Sequence, residues 1–335
     1  FALDEEGSGE PRQVVRAEVA FKLQRVDLSL VLSGDKQQRL NEALAEARRR
    51  PFDLLSREEG SGLVFRAMTV ELSATSHVLL VNMHHIASDG TSMGVFWRDL
   101  GHFYRTDGVE GDPTSRPAAL PVDYADYAVW ERKFLQSDEC ARQLQYWKDA
   151  LGKDPEPLEL PTDRPRPKVL THNGARTPAT LVAGVGQAEL QAFARRHQVT
   201  VFMVVLAAYQ VVLSRYSRQE EVLVGILSSG RTHAATEGLM GFFVNTLAVK
   251  ADFSSGGSTS MSLASLLQQV RGSVLGAFDH QDVPFDAVVG EVLSGRDPSR
   301  MPLVQALLNF NEFDHLDGSG VFGNGLSFHK HSSGD

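Results

Sequence analysis

The chain has 335 residues, of which 42% are hydrophobic and 22% charged; this is the balance of a globular protein too long for one ordinary core. Its 33 basic residues are outnumbered by 42 acidic ones, a net charge of −9, which argues against a nucleic-acid surface of clustered Lys and Arg. One cysteine, Cys140, excludes an internal disulfide framework and a cysteine-rich zinc site, and no apolar run reaches the roughly 18 residues of a membrane span. A cytoplasmic protein is expected.

The start, Phe-Ala-Leu-Asp-Glu-Glu, has neither the basic nor the apolar part of a signal peptide and no initiator Met, as in a fragment of a longer chain. Residues 1–27 alternate loosely around a turn at Glu6-Gly-Ser-Gly-Glu-Pro11, so paired edge strands are expected there. An amphipathic helix follows over Ser33–Arg50, with Leu40, Leu44 and Ala47 on one face. Arg48, Arg49 and Arg50 lie at its negative pole, which cations favour. Pro51-Phe-Asp-Leu54 stops it, and strands are expected at 63–72 and 77–83. The second strand runs into Met83-His-His-Ile-Ala-Ser-Asp-Gly-Thr-Ser92, and a helix follows to about Tyr104. A Gly/Pro/Ser-rich loop covers 107–121, Asp123 opens a helix, and another runs over Ala141–Leu151. Five prolines between Pro155 and Lys168 mark an extended linker and the expected domain boundary. The expected division is an N-terminal lobe over 1–154, a linker over 155–170 and a C-terminal lobe over 171–335.

The second half restarts with a strand at 175–185 and a helix over Gln187–His197. The apolar helix Thr200–Tyr216 reads as buried on most faces. Strand Glu221–Leu227 leads to Ser228-Ser-Gly-Arg231, and Gly241-Phe-Phe-Val-Asn-Thr-Leu247 begins another strand. Helix Met261–Asp279, the run His280-Gln-Asp-Val-Pro-Phe285, a short helix, Arg296-Asp-Pro-Ser-Arg-Met-Pro302 and a strand at Leu303–Phe310 complete the pattern; from Asp314 there is no clear signal. Both halves mix strands and helices, so two α/β lobes are expected.

The loop between strand and helix is where chemistry is usually presented. His85 can exchange a proton near neutral pH, which suits acyl transfer to an amine or hydroxyl. Gly90 would let the backbone pass close by, and loop amides would serve a developing oxyanion. His84 reads as structural, because neighbouring side chains diverge. Asp89 reads either as acting directly or, as often for a carboxylate beside a catalytic loop, as an orienting ion-pair partner, with Arg231 proposed opposite it. A metal site at His84, His85 and Asp89 is disfavoured, since no further Cys or His lies at ligand spacing. The sequence has no phosphate-binding glycine motif and no GxSxG elbow. Tyr124, Tyr127 and Trp130 sit at helical spacing and read as core. Asn245 and Thr246 form a polar pair in an apolar strand, equally a satisfied buried pair or part of a channel wall; Ser88, Thr91 and Asn309 are further candidates for substrate positioning.

With these residues in order, the chain resembles a condensation domain of a nonribosomal peptide synthetase. The resemblance rests on MHHIASDGTSMG from Met83, DYADYAVWE from Asp123, GFFVNT from Gly241, HQDVPFD from His280 and RDPSRMPL from Arg296, with PFDL from Pro51 and LPTDRPRP from Leu160. HHxxxDG alone is shared with chloramphenicol acetyltransferase-like proteins and wax ester synthases, but five ordered motifs are specific. The family's earlier SxAQ-type and RHExLRT-type motifs are missing, and Thr91 stands where the family commonly has Trp.

The resemblance implies an α/β (α+β) fold of two chloramphenicol-acetyltransferase-like lobes, a V-shaped pseudo-dimer with a tunnel between them, incomplete at both ends in this chain. It implies that the α-amine of an acceptor aminoacyl thioester attacks a donor acyl or peptidyl thioester, giving an amide. No cofactor is bound by the domain itself; both substrates arrive on the 4'-phosphopantetheine of upstream and downstream peptidyl carrier proteins, next to an adenylation domain of the same assembly line. His85, the second histidine, corresponds to the family's catalytic residue. His84, Asp89 and Gly90 are implied to be structural parts of the motif, with Arg231 bracing Asp89. An epimerisation domain, a stand-alone HHxxxDG acyltransferase and a non-catalytic carrier-binding module are the alternatives; GFFVNT and RDPSRMPL favour condensation, and the histidine motif is intact.

Overall fold

The computed structural model describes residues 2–3, 11–15, 19, 21–55, 63–106, 117, 119–171, 173–175, 177, 184–254 and 261–310. Their elements divide into two compact units, one drawn from Phe1–Leu120 with Gly238–Phe242, the other from Pro121–Glu237 with Phe243–Glu312.

In the first unit, β1 (Ala2–Leu3) and β2 (Pro11–Arg12) pair antiparallel, as the early turn predicted. β3 (Gln24–Asp27) instead pairs parallel with β4 (Phe65–Ser73). Parallel neighbours need a crossover, and α1 (Ser33–Arg49) lies within it. β4 turns back antiparallel into β5 (Ser76–Met83), with Phe65 opposite Met83, so the sheet order is β3-β4-β5. Leu40 and Leu44, one helical turn apart, meet the inward-facing Met68 and Val70 of β4 to form the core. α2 (Gly90–Arg105) follows the histidine loop.

The second unit has the sheet order β7-β6-β8, with β6 (Glu221–Ser228) antiparallel to β7 (Asn245–Asp252) and parallel to β8 (Leu307–Leu308). Five consecutive residues, Val222 to Ile226, are buried, as in a strand covered on both faces. Around it lie α3 (Tyr124–Phe134), α4 (Asp138–Leu151), α5 (Gln187–Arg196), α6 (Val201–Ser217), α7 (Leu263–Asp279) and α8 (Phe285–Val292). α4 begins earlier than expected because Ser137 caps it, its Oγ accepting the Cys140 N–H at 3.2 Å. Its stripe of Cys140, Gln143, Trp147 and Leu151 is buried. Trp147, only 2% exposed, contributes on the order of 4–6 kcal/mol of apolar burial before conformational entropy is counted.

Four expectations are corrected. The proline-rich segment does not separate the compact units: α3 and α4 belong to the second, and the 155–170 stretch is sewn onto it. Leu158 is buried in that core, its N–H donating to Gln305 Oε1 at 2.8 Å, while Arg300 bonds Glu159 at 2.6 Å and Leu170 N–H reaches Pro298 O at 2.8 Å. α6 buries one face, Met203, Leu206, Ala207, Gln210 and Leu213, and leaves Val212 and Tyr216 exposed. The strand expected over Leu303–Phe310 is two residues long, Leu307–Leu308, and Leu303 itself sits at φ 62°, outside the extended region. The strand begun at Gly241 starts only at Asn245. The strand expected at 175–185, most of the 107–121 loop and the tail from Asp314 lie largely or wholly outside the described residues. Among those residues no single helix is long and apolar enough to cross a membrane.

Candidate functional site

The histidine loop is built from its backbone outward. The ladder between β4 and β5 runs one step past Met83, with His84 N–H donating to Val64 O at 2.8 Å. The chain then tightens into a single 3-10 turn over His85–Ala87 and enters α2. Asp89 caps α2, Oδ1 accepting the Ser92 N–H at 2.8 Å, which satisfies one orphan amide of the first turn. Asp89 is buried and His85 exposed.

The two histidines hold opposite tautomers. His85 Nδ1 lies 2.7 Å from the Ser88 carbonyl oxygen. A carbonyl only accepts, so Nδ1 carries the proton and the neutral ring keeps its lone pair on Nε2. His84 Nδ1 accepts the Ile86 N–H at 3.0 Å, so its proton sits on Nε2. His84 is also packed edge-on against Phe52, 5.8 Å between centroids. Phe52 in turn lies 4.0 Å beneath the Arg66 guanidinium, which also donates to the carbonyls of Arg50 and Pro51. Arg66 thereby ties the end of α1 to β4, and Phe52 packs against the first histidine.

A cleft of about 600 Å3 in the first unit is lined by Phe52, Asn82, His85, Asp89, Gly90 and Met93, among others. Asn82 Nδ2 donates to Ala47 O at 2.9 Å and anchors one wall. Two expectations about the loop change here. A Cβ on Gly90 would meet nothing within 4 Å, so close backbone approach does not explain the glycine; it leaves room in the cleft. The Ile86, Ala87 and Ser88 amides are spent inside the loop, on His84 Nδ1, His84 O and His85 O, and are not oxyanion donors. Ser88 acts through its carbonyl, its hydroxyl lying 3.4 Å from His84 O; Thr91 is exposed on the first turn of α2.

Two residues that the sequence did not single out complete the loop's surroundings. Ser92, fully buried, donates Oγ–H to Gly241 O at 2.9 Å and accepts Gly241 N–H at 3.0 Å. Phe242 stands across the His85 ring at 5.2 Å and an interplanar angle of 80°. The two adjacent phenylalanines of GFFVNT were the only hint of this in the sequence.

The remaining candidates belong to the second unit. Arg231 lies 4.3 Å over the Phe243 ring; Asp89 belongs to the first unit, and their pairing remains a proposal. Asn245 is committed to structure: Nδ2 donates to Gln281 O and Val283 O, both at 2.8 Å, and Oδ1 accepts the Phe285 N–H at 3.0 Å. It holds the HQDVPF turn with both Nδ2 hydrogens and one acceptor site of Oδ1. Thr246 is half-buried on β7, its methyl 3.2 Å from where a Cβ on Gly225 would stand, and Asn309 is exposed beyond β8. Tyr124, Tyr127 and Trp130 are half-buried rather than core. They form an aromatic row in which Tyr124 and Tyr127 pack on Phe243 at 5.2 and 4.6 Å and Trp130 meets His233 at 5.0 Å. Tyr127 donates to Glu131 at 3.2 Å. Burial pushes the Glu131 carboxyl above its ordinary range, with the Tyr127 bond pulling partly back. The Tyr127 phenol is raised by burial first and by the Glu131 charge second.

Comparison with known proteins gives the same reading over nearly the whole chain. The condensation-domain family model matches residues 1–323. Malpinin synthetase of Mortierella alpina is 37% identical over 303 residues, which make up 90% of this chain but 4% of that protein. Tyrocidine synthase 3 of Brevibacillus parabrevis is 37% identical over 287 residues, again 4% of its own length. Among solved structures, the X-domain from teicoplanin biosynthesis superposes with a TM-score of 0.71 at 28% identity, covering 85% of this chain and 60% of its own. The four-domain nonribosomal peptide synthetase AB3403 superposes at 0.70 with 25% identity, over 90% of this chain and 21% of its own. The mixed α/β units are therefore those of the chloramphenicol-acetyltransferase-like fold, and the chain belongs to the condensation-domain family of the nonribosomal peptide synthetases.

Proposed function

We propose that this domain forms an amide between a donor acyl or peptidyl thioester and the α-amine of an acceptor aminoacyl thioester, both carried on the phosphopantetheine arms of carrier proteins. The amine nitrogen adds to the thioester carbonyl, the tetrahedral adduct expels the thiolate, and the amine proton ends on that sulfur. The domain itself supplies no cofactor; the carriers and an adenylation domain of the same assembly line are its partners.

One observation carries the reading: His85 Nδ1 is tied to the Ser88 carbonyl at 2.7 Å, so Nε2 faces outward as an acceptor on an exposed ring beside an open cleft. Such a nitrogen can accept the hydrogen bond of an attacking amine and orient its lone pair. A free α-amine has a pKa near ~8 and is partly unprotonated at neutral pH, so alignment counts for more than deprotonation; positioning of this kind is worth up to roughly 7–11 kcal/mol in well-oriented systems. Asp89 fixes the start of α2 and Gly90 keeps space free beside it.

The test is dipeptide formation between loaded carriers by the domain expressed with its flanking sequence. His85→Ala lowers the rate by about 10²–10⁴, the range of a positioned acid or base, and leaves the melting temperature near that of wild type because the ring is exposed. A wild-type rate in His85→Ala refutes the assignment. A second reading, recruitment of a partner protein, draws on the likeness to the teicoplanin X-domain, which also has a solved complex with OxyB. On that reading the histidine is dispensable, and the same variant separates the two.

A further inference from the structure

The cleft that holds His85 has a second charged end. Its lining runs from Arg48, Arg49 and Arg50 at the close of α1 to His85, Asp89 and Met93. The negative pole of α1 accounts for one of these arginines, since Arg48 Nε donates to Leu44 O of its own helix at 3.3 Å. Arg49 and Arg50 are exposed, and among the described residues neither side chain makes an ion pair or a hydrogen bond. A third guanidinium, that of Arg66, lies close by, donating to the carbonyls of Arg50 and Pro51 and covering the Phe52 ring. Its Nε is buried without a hydrogen-bond partner, and burial first and the Arg50 charge second hold the group below its ordinary pKa. Among the described residues no carboxylate forms an ion pair with Arg49, Arg50 or Arg66. Cations gathered without a counter-charge oppose one another, and an anion placed among them removes that cost.

The opposite end of the cleft does not suit an anion. Asp89 is buried there with its carboxylate on the Ser92 N–H, and a second negative charge beside it is repelled. The two ends are close in the chain, for Phe52, two residues past Arg50, packs on His84 at 5.8 Å. A cleft of about 600 Å3 is of the size that takes a small molecule. Its charge pattern selects one that is anionic at one end and reactive at the other.

We propose that Arg49 and Arg50 form a phosphate subsite for the pantetheine arm of a carrier protein, which lies along the cleft with its thioester towards His85. Guanidinium groups match phosphate oxygens with paired N–H donors, so the arm is held at its charged end while its sulfur end is left free to react. The identity of the ligand rests on the amide-forming reading; the anion subsite rests on the cleft alone.

The test has a binding part and a turnover part, both on the domain with its flanking sequence. In the first, 4'-phosphopantetheine, pantetheine and inorganic phosphate are titrated by calorimetry. Phosphopantetheine binds about tenfold tighter than pantetheine, the scale of one charge-assisted hydrogen bond, and its advantage shrinks as salt is raised. Arg49→Gln/Arg50→Gln abolishes the difference, whereas Arg98→Gln, at an exposed arginine of α2 that pairs with Asp99 at 2.8 Å, leaves it intact. Arg49 and Arg50 are exposed, so the double variant keeps the fold, which its melting temperature checks. Equal binding of phosphopantetheine and pantetheine, or a preference that survives in the double variant, overturns the subsite. Inorganic phosphate that binds as tightly as phosphopantetheine overturns the arm as its ligand. In the second part, donor and acceptor are each offered as the thioester of phosphopantetheine and of pantetheine, and amide formation is followed. On one side of the reaction the phosphate lowers KM by about tenfold with kcat unchanged, as uniform binding does, and the double variant loses that advantage. No advantage on either side overturns the assignment to the arm. The expected binding preference with no amide from wild type overturns the amide-forming reading while supporting the subsite.

Discussion

Asn245 offers the sharpest check on the second unit. Its side chain makes three bonds to one turn, donating to Gln281 O and Val283 O at 2.8 Å and accepting from Phe285 N–H at 3.0 Å. At about 1 kcal/mol net for each, with some further cost for the part-buried backbone groups left unpaired, Asn245→Ala loses about 3–4 kcal/mol. For a unit of this size that is roughly 6–16 °C in melting temperature. Asn245→Asp keeps the shape but sets a carboxylate against two carbonyl oxygens, so it is the worse variant at neutral pH. The charged form is disfavoured in the folded state, which raises the carboxyl's folded pKa. The added penalty is absent below the unfolded value of about 3.9, grows as pH rises past it and is complete above the folded value. Thermal unfolding followed by tryptophan emission reports on this region, since Trp147 Nε1–H donates to His280 O at 3.0 Å beside the turn. An Asn245→Ala melting temperature within about 1 °C of wild type, or an Asn245→Asp profile flat from acid to neutral pH, refutes the account of Asn245 as the keystone of the HQDVPF turn.

Two further outcomes are expected. Gly230 has φ +66° and a Cβ there would collide with the Phe243 carbonyl, so Gly230→Ala combines left-handed strain with a backbone clash and costs about 2–5 kcal/mol, read by thermal denaturation. Glu131 has its carboxyl raised above 4.5, chiefly by burial, so the ionised form burdens the folded state. Glu131→Gln is therefore more stable than wild type at neutral pH. The gain shrinks as pH falls through the raised folded value and vanishes below 4.5; calorimetry from acid to neutral pH shows the convergence, and a gain that persists in acid contradicts it.

The local pattern alone was enough for most helices and for the histidine loop. α1, α2, α5, α6 and α7 lie within two residues of their expected bounds, because apolar spacing and caps such as Asp89 and Thr200 act within one or two turns of chain. The motif order was equally legible, since it is written in the sequence itself. What needed the tertiary structure were pairings that no local rule encodes. β3 joins β4 in parallel across α1, and α4 buries Trp147 in the unit that follows the prolines rather than the one before them. Asn245 was evenly balanced between lining and bracing until its three backbone partners, some 36 to 40 residues away, were placed. Ser92 and Phe242 were invisible for the same reason: a serine on the first turn of a helix and a phenylalanine in an apolar motif look ordinary one by one. Only the fold brings Gly241 back across 149 residues to set the ring beside His85, and a contact at that separation depends on the packing of the whole unit rather than on the propensity of any segment within it.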